Sequence, residues 1–319
     1  MGKPILIAIG GNSLIRAGQS GSVKEQAENA NTTCAHLAKL VQQGHKIVIT
    51  HGNGPQVGAM LIRSELASHQ VYQLPLDSCD ASTQGEMGYL LQNAMRTALH
   101  ALGLKIPVIT ILTQIVVDEK DPAFANPSKP IGPFYSKEVA EQRKNELGWR
   151  IIEDAARGYR RVVPSPYPLE IVELDAIKYC LSEGFIVIAV GGGGIPVIDK
   201  DGIYHGVEAV VDKDRASSLL ANKLELDTFI ISTDTDKVYL NFNKPNQLAL
   251  DNISLAEALK YMGENHFLAG SMGPKVEAAV DFLSKGGNEV IITRPELISE
   301  AVSGKTGTHI FANEKGGNS

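Results

Sequence analysis

The sequence predicts an α/β protein built on a parallel sheet covered by helices on both faces, and three observations predict it. Short apolar runs alternate with longer amphipathic ones along most of the chain. Several of the short runs, "ILIAI" at 5–9 among them, are unbroken by polar residues, as strands buried on both faces are. Many of them end in glycine. With 319 residues, 43% of them hydrophobic, the chain has enough apolar surface for one large core or two modest ones.

The elements follow in order. "ILIAIGG" reads as a first strand. Val23, Ala27, Ala30, Cys34, Leu37 and Val41 then recur at spacings of three and four, which predicts a helix that Gly44 stops. "KIVITHG" is a second strand, followed by a helix from about Gln56 to Ala67 and another near Gln84 to Leu102, ended by Gly103. "PVITILTQIVV" reads as a third strand. From Asp118 to Pro168 the periodicity breaks among Pro122, Pro127, Pro130, Pro133, Pro164, Pro166 and Pro168, which predicts an irregular insertion or lid. Alternation resumes with helix Leu174–Ser182, strand "FIVIAVGGGG", helix Arg215–Leu224 and strand "TFIIST". Helices Leu255–Met262 and Lys275–Ser284, strand "EVIIT", helix Glu296–Val302 and strand "THIFA" complete it. Two lobes are expected, 1–170 with a lid at about 118–168, and 171–313, followed by a frayed tail at 314–319.

Composition narrows the function. A net charge of −6, with no basic group larger than Arg157, Arg160 and Arg161, offers no footprint for a nucleic acid backbone. The longest apolar stretch, Pro107 to Val117, is too short and too rich in threonine to span a bilayer. No signal peptide is evident at the start, and Cys34, Cys79 and Cys180 form no CxxC pair, which predicts reduced thiols in the cytoplasm. The glycosylation patterns at Asn31 and Asn252 carry little meaning there.

In an open parallel sheet the chemistry sits at the carboxyl ends of the strands. Here those ends carry Gly10–Gly11, Gly52 with Gly54, and Gly191 through Gly194. One glycine loop is as readily a plain tight turn as a ligand site; three together point to anion binding by backbone N–H groups and helix N-termini. Yet no GxxxxGK[ST] exists, and "GNGPQVG" lacks the GxGxxG spacing. The glycines therefore lack a neighbouring cation.

"AIGGNSL" at 8–14, "THGNGPQVG" at 50–58, "KPIGPFY" at 129–135, "RRVVPSPYP" at 160–168, "GGGGIPV" at 191–197, "VVDKDRAS" at 210–217 and "GSMGPKV" at 270–276 together resemble the carbamate kinases, in order over nearly the whole chain. The resemblance implies the amino acid kinase fold, an open and mainly parallel sheet sandwiched by helices with a protruding lid. It implies phosphoryl transfer between ATP and carbamate, often run from ADP and carbamoyl phosphate toward ATP, and a homodimer. It assigns catalytic charge to Lys129, Lys213 and Lys275, with Asp214 organising the lysines. Gly10, Gly11, Asn12, Gly52, Asn53 and Gly54 would receive carbamate and the transferred group, the asparagine side chains as donors. Asp234, Tyr239, Gly270 and Met272 would lie along the nucleotide. Magnesium would be held mainly by the nucleotide phosphates and water, with no protein metal site.

The chemistry fits these residue types. Both reactants are anions, so the need is for positioning and cations rather than a base, since carbamate has no proton to lose at its attacking oxygen. His51 is accordingly read as structural. Other amino acid kinases place a lysine two residues before the first loop glycine, where this chain has Ala8; a non-catalytic nucleotide sensor is the other alternative. Two positions depart from the carbamate kinase pattern. "TQGEMGY" at 83–89 puts Glu86 where an apolar residue is commoner, and Ser13 replaces alanine.

Overall fold

The computed structural model describes residues 3–11, 14–16, 18–153, 158–267 and 272–313. Strand β1 (Ile5–Ile9) is followed by α1 (Val23–Gln42), β2 (Ile47–His51), α2 (Gly54–Ala67) and α3 (Leu76–Ala101). Ser22 and Glu25 form a reciprocal cap on α1, which explains where that helix begins. Helix α3 starts at Leu76, eight residues before the sequence-predicted Gln84.

One eight-stranded sheet dominates. From one edge it runs through β15 (Asn252–Ser254), β17 (Thr308–Phe311), β16 (Glu289–Thr293), β12 (Thr228–Ser232), β1, β2, β9 (Ile186–Ile188) and β3 (Val108–Thr110). From β16 to β3 all pairs are parallel; β17 runs antiparallel to β16. Every residue of β1 is buried, because the sheet is covered on both faces. Leu6 and Ala8 enter one core cluster, while Ile5, Ile7 and Ile9 enter the cluster on the opposite face. The cysteines fit this packing: Cys34 and Cys79 are buried and all three thiols are free.

Two expectations are corrected. "PVITILTQIVV" is not one strand. The chain leaves the main sheet after Thr110 and enters a second, four-stranded sheet at β4 (Gln114–Val117), between β8 (Pro168–Ile171) and β10 (Ile195–Lys200), with β11 (Ile203–Gly206) on the far side of β10. Thr113 makes the step: its N–H donates to Gln84 Oε1 at 2.6 Å, and its hydroxyl oxygen accepts from Val190 N at 2.9 Å. The lid is not irregular either. It holds a three-stranded antiparallel sheet of β5 (Lys129–Tyr135), β7 (Tyr159–Val163) and β6 (Arg150–Glu153), with helix α5 (Lys137–Leu147) capped by Ser136. Pro130 is tolerated there because β5 is an edge strand of that sheet.

The remaining helices are α4 (Pro122–Ala125), α6 (Leu174–Ser182), α7 (Lys213–Lys223), α8 (Leu255–Gly263), α9 (Met272–Ser284) and α10 (Ile298–Val302). Strands β13 (Val238–Leu240) and β14 (Leu248–Leu250) form a separate hairpin. The β10–β11 and β13–β14 hairpins are absent from the sequence-based reading. Asn12, Ser13, Gly270, Arg157 and the tail 314–319 lie outside the described residues.

Candidate active site

A cleft of about 720 Å³ opens at the carboxyl ends of the central strands. Three helix N-termini reach it, through Gly54 and Pro55 of α2, Lys213 and Asp214 of α7, and Pro274 and Lys275 of α9. Each points the positive end of its dipole at the cleft, which favours anions there before any lysine is counted.

The lysines expected from sequence meet here. Lys129 at the start of β5, Lys213 and Lys275 all line the cleft, together with Gly11, Gly52, Gly54, Gly192 and Arg160. Asp214 bridges two of them: its Oδ1 accepts from Lys213 Nζ, and its Oδ2 lies 3.4 Å from Lys275 Nζ. Lys129 Nζ donates to Asp212 Oδ2 at 2.6 Å. Asp212 had no role in the sequence-based reading. It is the N-cap of α7, accepting from Asp214 N at 2.9 Å, so it anchors the helix and the lid lysine at once. Its sequence signal was an aspartate just ahead of a predicted helix start. Three lysines against two aspartates leave an excess positive charge.

Electrostatics sharpen the arrangement. Burial opposes ionisation of Asp214, but the ammonium groups of Lys213 and Lys275 outweigh it and hold the carboxyl below its ordinary range. Burial, with the nearby Lys275 charge, lowers the Lys213 ammonium against the pull of Asp214. An arriving phosphate would restore what burial removes. At about 4 Å, one such contact is worth roughly 4 kcal/mol at an effective dielectric of 20.

The glycines earn their places by close approach. A methyl on Gly52 would stand 3.2 Å from Gly11 N and 3.6 Å from Lys213 Cδ. One on Gly10, which does not line the cleft itself, would meet Ser232 O at 3.0 Å. Val190, with φ 53°, forces a β-branched residue into the left-handed region just before Gly191, a strained backbone of the kind that gathers at active sites. A methyl on Gly191 would lie 2.4 Å from His51 Nε2 and 2.6 Å from Gln84 Cγ. Gly191→Ala is therefore expected to cost about 1–3 kcal/mol of stability by overpacking, read by denaturant unfolding. A midpoint equal to wild type would contradict this packing.

His51 is fully buried; its Nδ1 lies 3.2 Å from Gly52 O, and its Nε2 has no partner among the described residues. Burial lowers it to about 4, so it is neutral at pH 7, and no carboxylate among the described residues pairs with it to make it a base. Gln84, also outside the sequence-based reading, ties the turn together: its Nε2 donates to Gly191 O at 2.9 Å and to Thr113 O at 3.2 Å.

Asn53 requires a correction. Its NH₂ group donates to Asp80 Oδ1 at 2.5 Å and to Thr83 Oγ1 at 3.0 Å, so it is turned inward and is not a donor toward the cleft. Burial raises Asp80 to about 7, with Asp77 adding to it and the Asn53 hydrogen bond opposing. A carboxyl so raised keeps its proton in the folded state to a higher pH than in the unfolded chain. Its contribution to stability is therefore present below about pH 4 and fades as pH rises through 7. Asp80→Asn is expected to remove a fall on the order of 4 kcal/mol from the stability profile across that window. Parallel profiles for the two proteins would contradict it.

Of the residues expected along the nucleotide, Asp234, Tyr239 and Met272 are not among those lining this cleft. Tyr239 OH donates to Asp236 Oδ1 at 2.8 Å, Arg294 Nε donates to Asp234 O at 2.8 Å, and Met272 packs half-buried against the core. Asn12 and Gly270 are outside the described residues.

A parallel sheet whose strand ends carry lysine-lined glycine turns, without Walker or dinucleotide fingerprints, is the equipment of a kinase for small anionic acceptors. The profile of the amino acid kinase family matches residues 3–294. A carbamate kinase of Thermococcus kodakarensis is 47% identical over 97% of this chain and 99% of its own length, and that of Pyrococcus furiosus 46% identical over 98% and 100%. The solved carbamate kinase from Giardia lamblia bound to AMP-PNP is 41% identical, covering 97% of this chain and 98% of its own, with a TM-score of 0.91. The chain belongs to the amino acid kinase family, among the carbamate kinases.

Proposed function

We propose that this cleft carries a carbamate kinase reaction, reversible phosphoryl transfer between ATP and carbamate, working mainly in the direction that makes ATP. The observation that carries the reading is the convergence of Lys129, Lys213 and Lys275 on the glycine turns. In the synthetic direction an ionised carbamate oxygen attacks the γ-phosphorus, and the bond from that phosphorus to the ADP oxygen breaks. No proton moves, so no base is required. What is required is to bring two anions together, and the lysines and helix N-termini do this by neutralising charge that peaks in the transition state.

Lys129 arrives on the lid sheet, so closing the lid both adds a cation and excludes water from an acyl phosphate that hydrolyses. Asp234, Tyr239 and Met272 would contact the nucleotide, and Gly10, Gly11, Gly52 and Gly54 the transferred group. Among the described residues no group of three or more His, Cys, Asp or Glu could hold a metal, and Asp212 and Asp214 are committed to lysines. A magnesium ion would enter on the nucleotide phosphates, where it would neutralise charge on the β and γ groups.

No helix among the described residues is long and apolar enough to cross a membrane. The reading includes a cytoplasmic homodimer. Tyr89 at 65% exposure and Leu112 at 51% provide apolar surface for one, and light scattering should return twice the 34.2 kDa chain mass. A monomer at micromolar concentration would remove that part.

The deciding experiment is coupled ATP formation from ADP, magnesium and carbamoyl phosphate, with acetyl phosphate as competing donor. Preferential use of carbamoyl phosphate is expected. A thermal shift with ADP but no ATP formed would instead favour a nucleotide sensor.

A further inference from the structure

Asn53 occupies the N-cap position of α2, yet its side chain caps nothing in that helix. Asparagine at this position ordinarily accepts a hydrogen bond from the first turn. Here the amide is pulled the other way, toward Asp80 and Thr83 on α3. While Asp80 is ionised, both partners can only accept from it. Asp80 Oδ1 is a carboxylate oxygen when ionised, and the Thr83 hydroxyl hydrogen is already directed to the carbonyls of Cys79 at 2.9 Å and Asp80 at 3.0 Å. The NH₂ end must therefore face inward.

Gly192 closes the other side, since a methyl there would fall 2.3 Å from Asn53 Nδ2 and 2.5 Å from Oδ1. The amide is thus held between α3 and the 191–194 turn in one orientation. Its Oδ1 accepts no hydrogen bond among the described residues, and Asn53 lines the cleft.

We infer that Asp80 is a positioning residue that fixes the Asn53 amide with its oxygen available to the ligand, and that this oxygen selects for an acyl phosphate bearing N–H. The inference rests on the carbamate kinase reading and deepens it. Around the glycine turns the carboxylates of Asp212 and Asp214 are taken up by lysines, and the cations and N–H donors greet the phosphate and carboxyl oxygens of any acyl phosphate alike. A hydrogen-bond acceptor is different. It rewards the amino group of carbamoyl phosphate and leaves the methyl group of acetyl phosphate unpaired.

Asp80 is 2% exposed and has no ammonium or guanidinium partner among the described residues. The charged or titratable groups on the elements around it are Asp77 and the neutral Cys79 thiol on its own helix, Glu208 behind Leu76 and paired with Arg161, neutral His51 on β2, and Lys213 across the turn. Of these only Asp77 acts on it appreciably, and in the direction of protonation. A protonated Asp80 can donate to Asn53 Oδ1, which permits the amide to turn over. The selectivity is therefore tied to the ionisation of one buried carboxyl.

The test is the ratio of kcat/KM for carbamoyl phosphate to that for acetyl phosphate, measured in ATP formation from ADP. In Asp80→Leu this ratio is expected to fall about tenfold, mainly through KM for carbamoyl phosphate. In the wild type the ratio should rise with pH through about 7. Phosphate and lysine titration affect both donors and cancel in the ratio, so a purely structural aspartate would not produce that rise. If Asp80→Leu does not fold, the wild-type pH series decides alone. A flat ratio in wild type would overturn the inference, as would an unchanged ratio in a folded Asp80→Leu. Failure of the wild type to form any ATP from carbamoyl phosphate would overturn the proposed function as well, which separates the two failures.

Discussion

Lys275→Ala is expected to lower kcat for ATP formation by a hundredfold or more, the scale of losing one preorganised donor to a developing charge. Lys275 stands in the first turn of α9, with Asp214 Oδ2 3.4 Å from its ammonium, so its side chain is already aimed and loses little freedom when the ligand arrives. Lys213→Ala should do at least as much, since Lys213 is more enclosed, 12% exposed against 18%. KM should move less than kcat if the lysines act chiefly on the transition state. Because Arg215 of α7 pairs with Glu277 of α9 at 2.9 Å, the helices stay joined when either lysine is shortened, and the loss can be read as chemistry. Steady-state kinetics with carbamoyl phosphate varied at saturating ADP would measure it. Near-normal turnover in both variants would remove the lysines from the mechanism.

The second large effect concerns the aspartate between them. Asp214→Asn leaves two ammonium groups facing each other across a neutral amide in a nearly closed site, and removing one partner from a buried pair typically costs about 3–5 kcal/mol. Stability of the ligand-free protein should fall by that amount. The loss should shrink when a nucleotide or carbamoyl phosphate is added, because the phosphate then supplies the missing negative charge. Denaturant unfolding with and without ligand would show it. An equal loss in both conditions would mean that Asp214 matters for packing and not for holding the cations apart.

How much of this was legible in the sequence differs by level. Apart from β15, the strands of the main sheet were readable because burial on both faces leaves apolar runs, as in Ile5–Ile9 and Val290–Ile292. The step from β3 to β4 was not, since an apolar run carries no mark of which sheet each half joins. That is decided at Thr113 by Gln84 and Val190, both distant in sequence. Prolines hid the lid sheet, because on an edge strand proline's missing N–H costs nothing.

At the site, single positions were legible through shared motifs and pairings were not. Lys129, Lys213 and Lys275 were named from "KPIGPFY", "VVDKDRAS" and "GSMGPKV", yet nothing local showed that Asp212 would hold Lys129. Asn53 was misread as a donor for the same reason. The residues that turn its amide, Asp80 and Thr83, belong to another helix about thirty positions along the chain.

The position of β9 bears on how the protein is made. β3 pairs in the main sheet only with β9, and β9 in turn fills the place beside β2. A nascent chain leaving the ribosome therefore cannot complete this half of the sheet until Ile188 has emerged. Nor can β1 gain its second neighbour until β12, Thr228–Ser232, is synthesised. Until then β2 and β3 present open edges of the kind that draw intermolecular pairing. Slow translation between residues 110 and 186 should favour aggregation of the growing polypeptide, and chaperone holdases should be most useful during that interval.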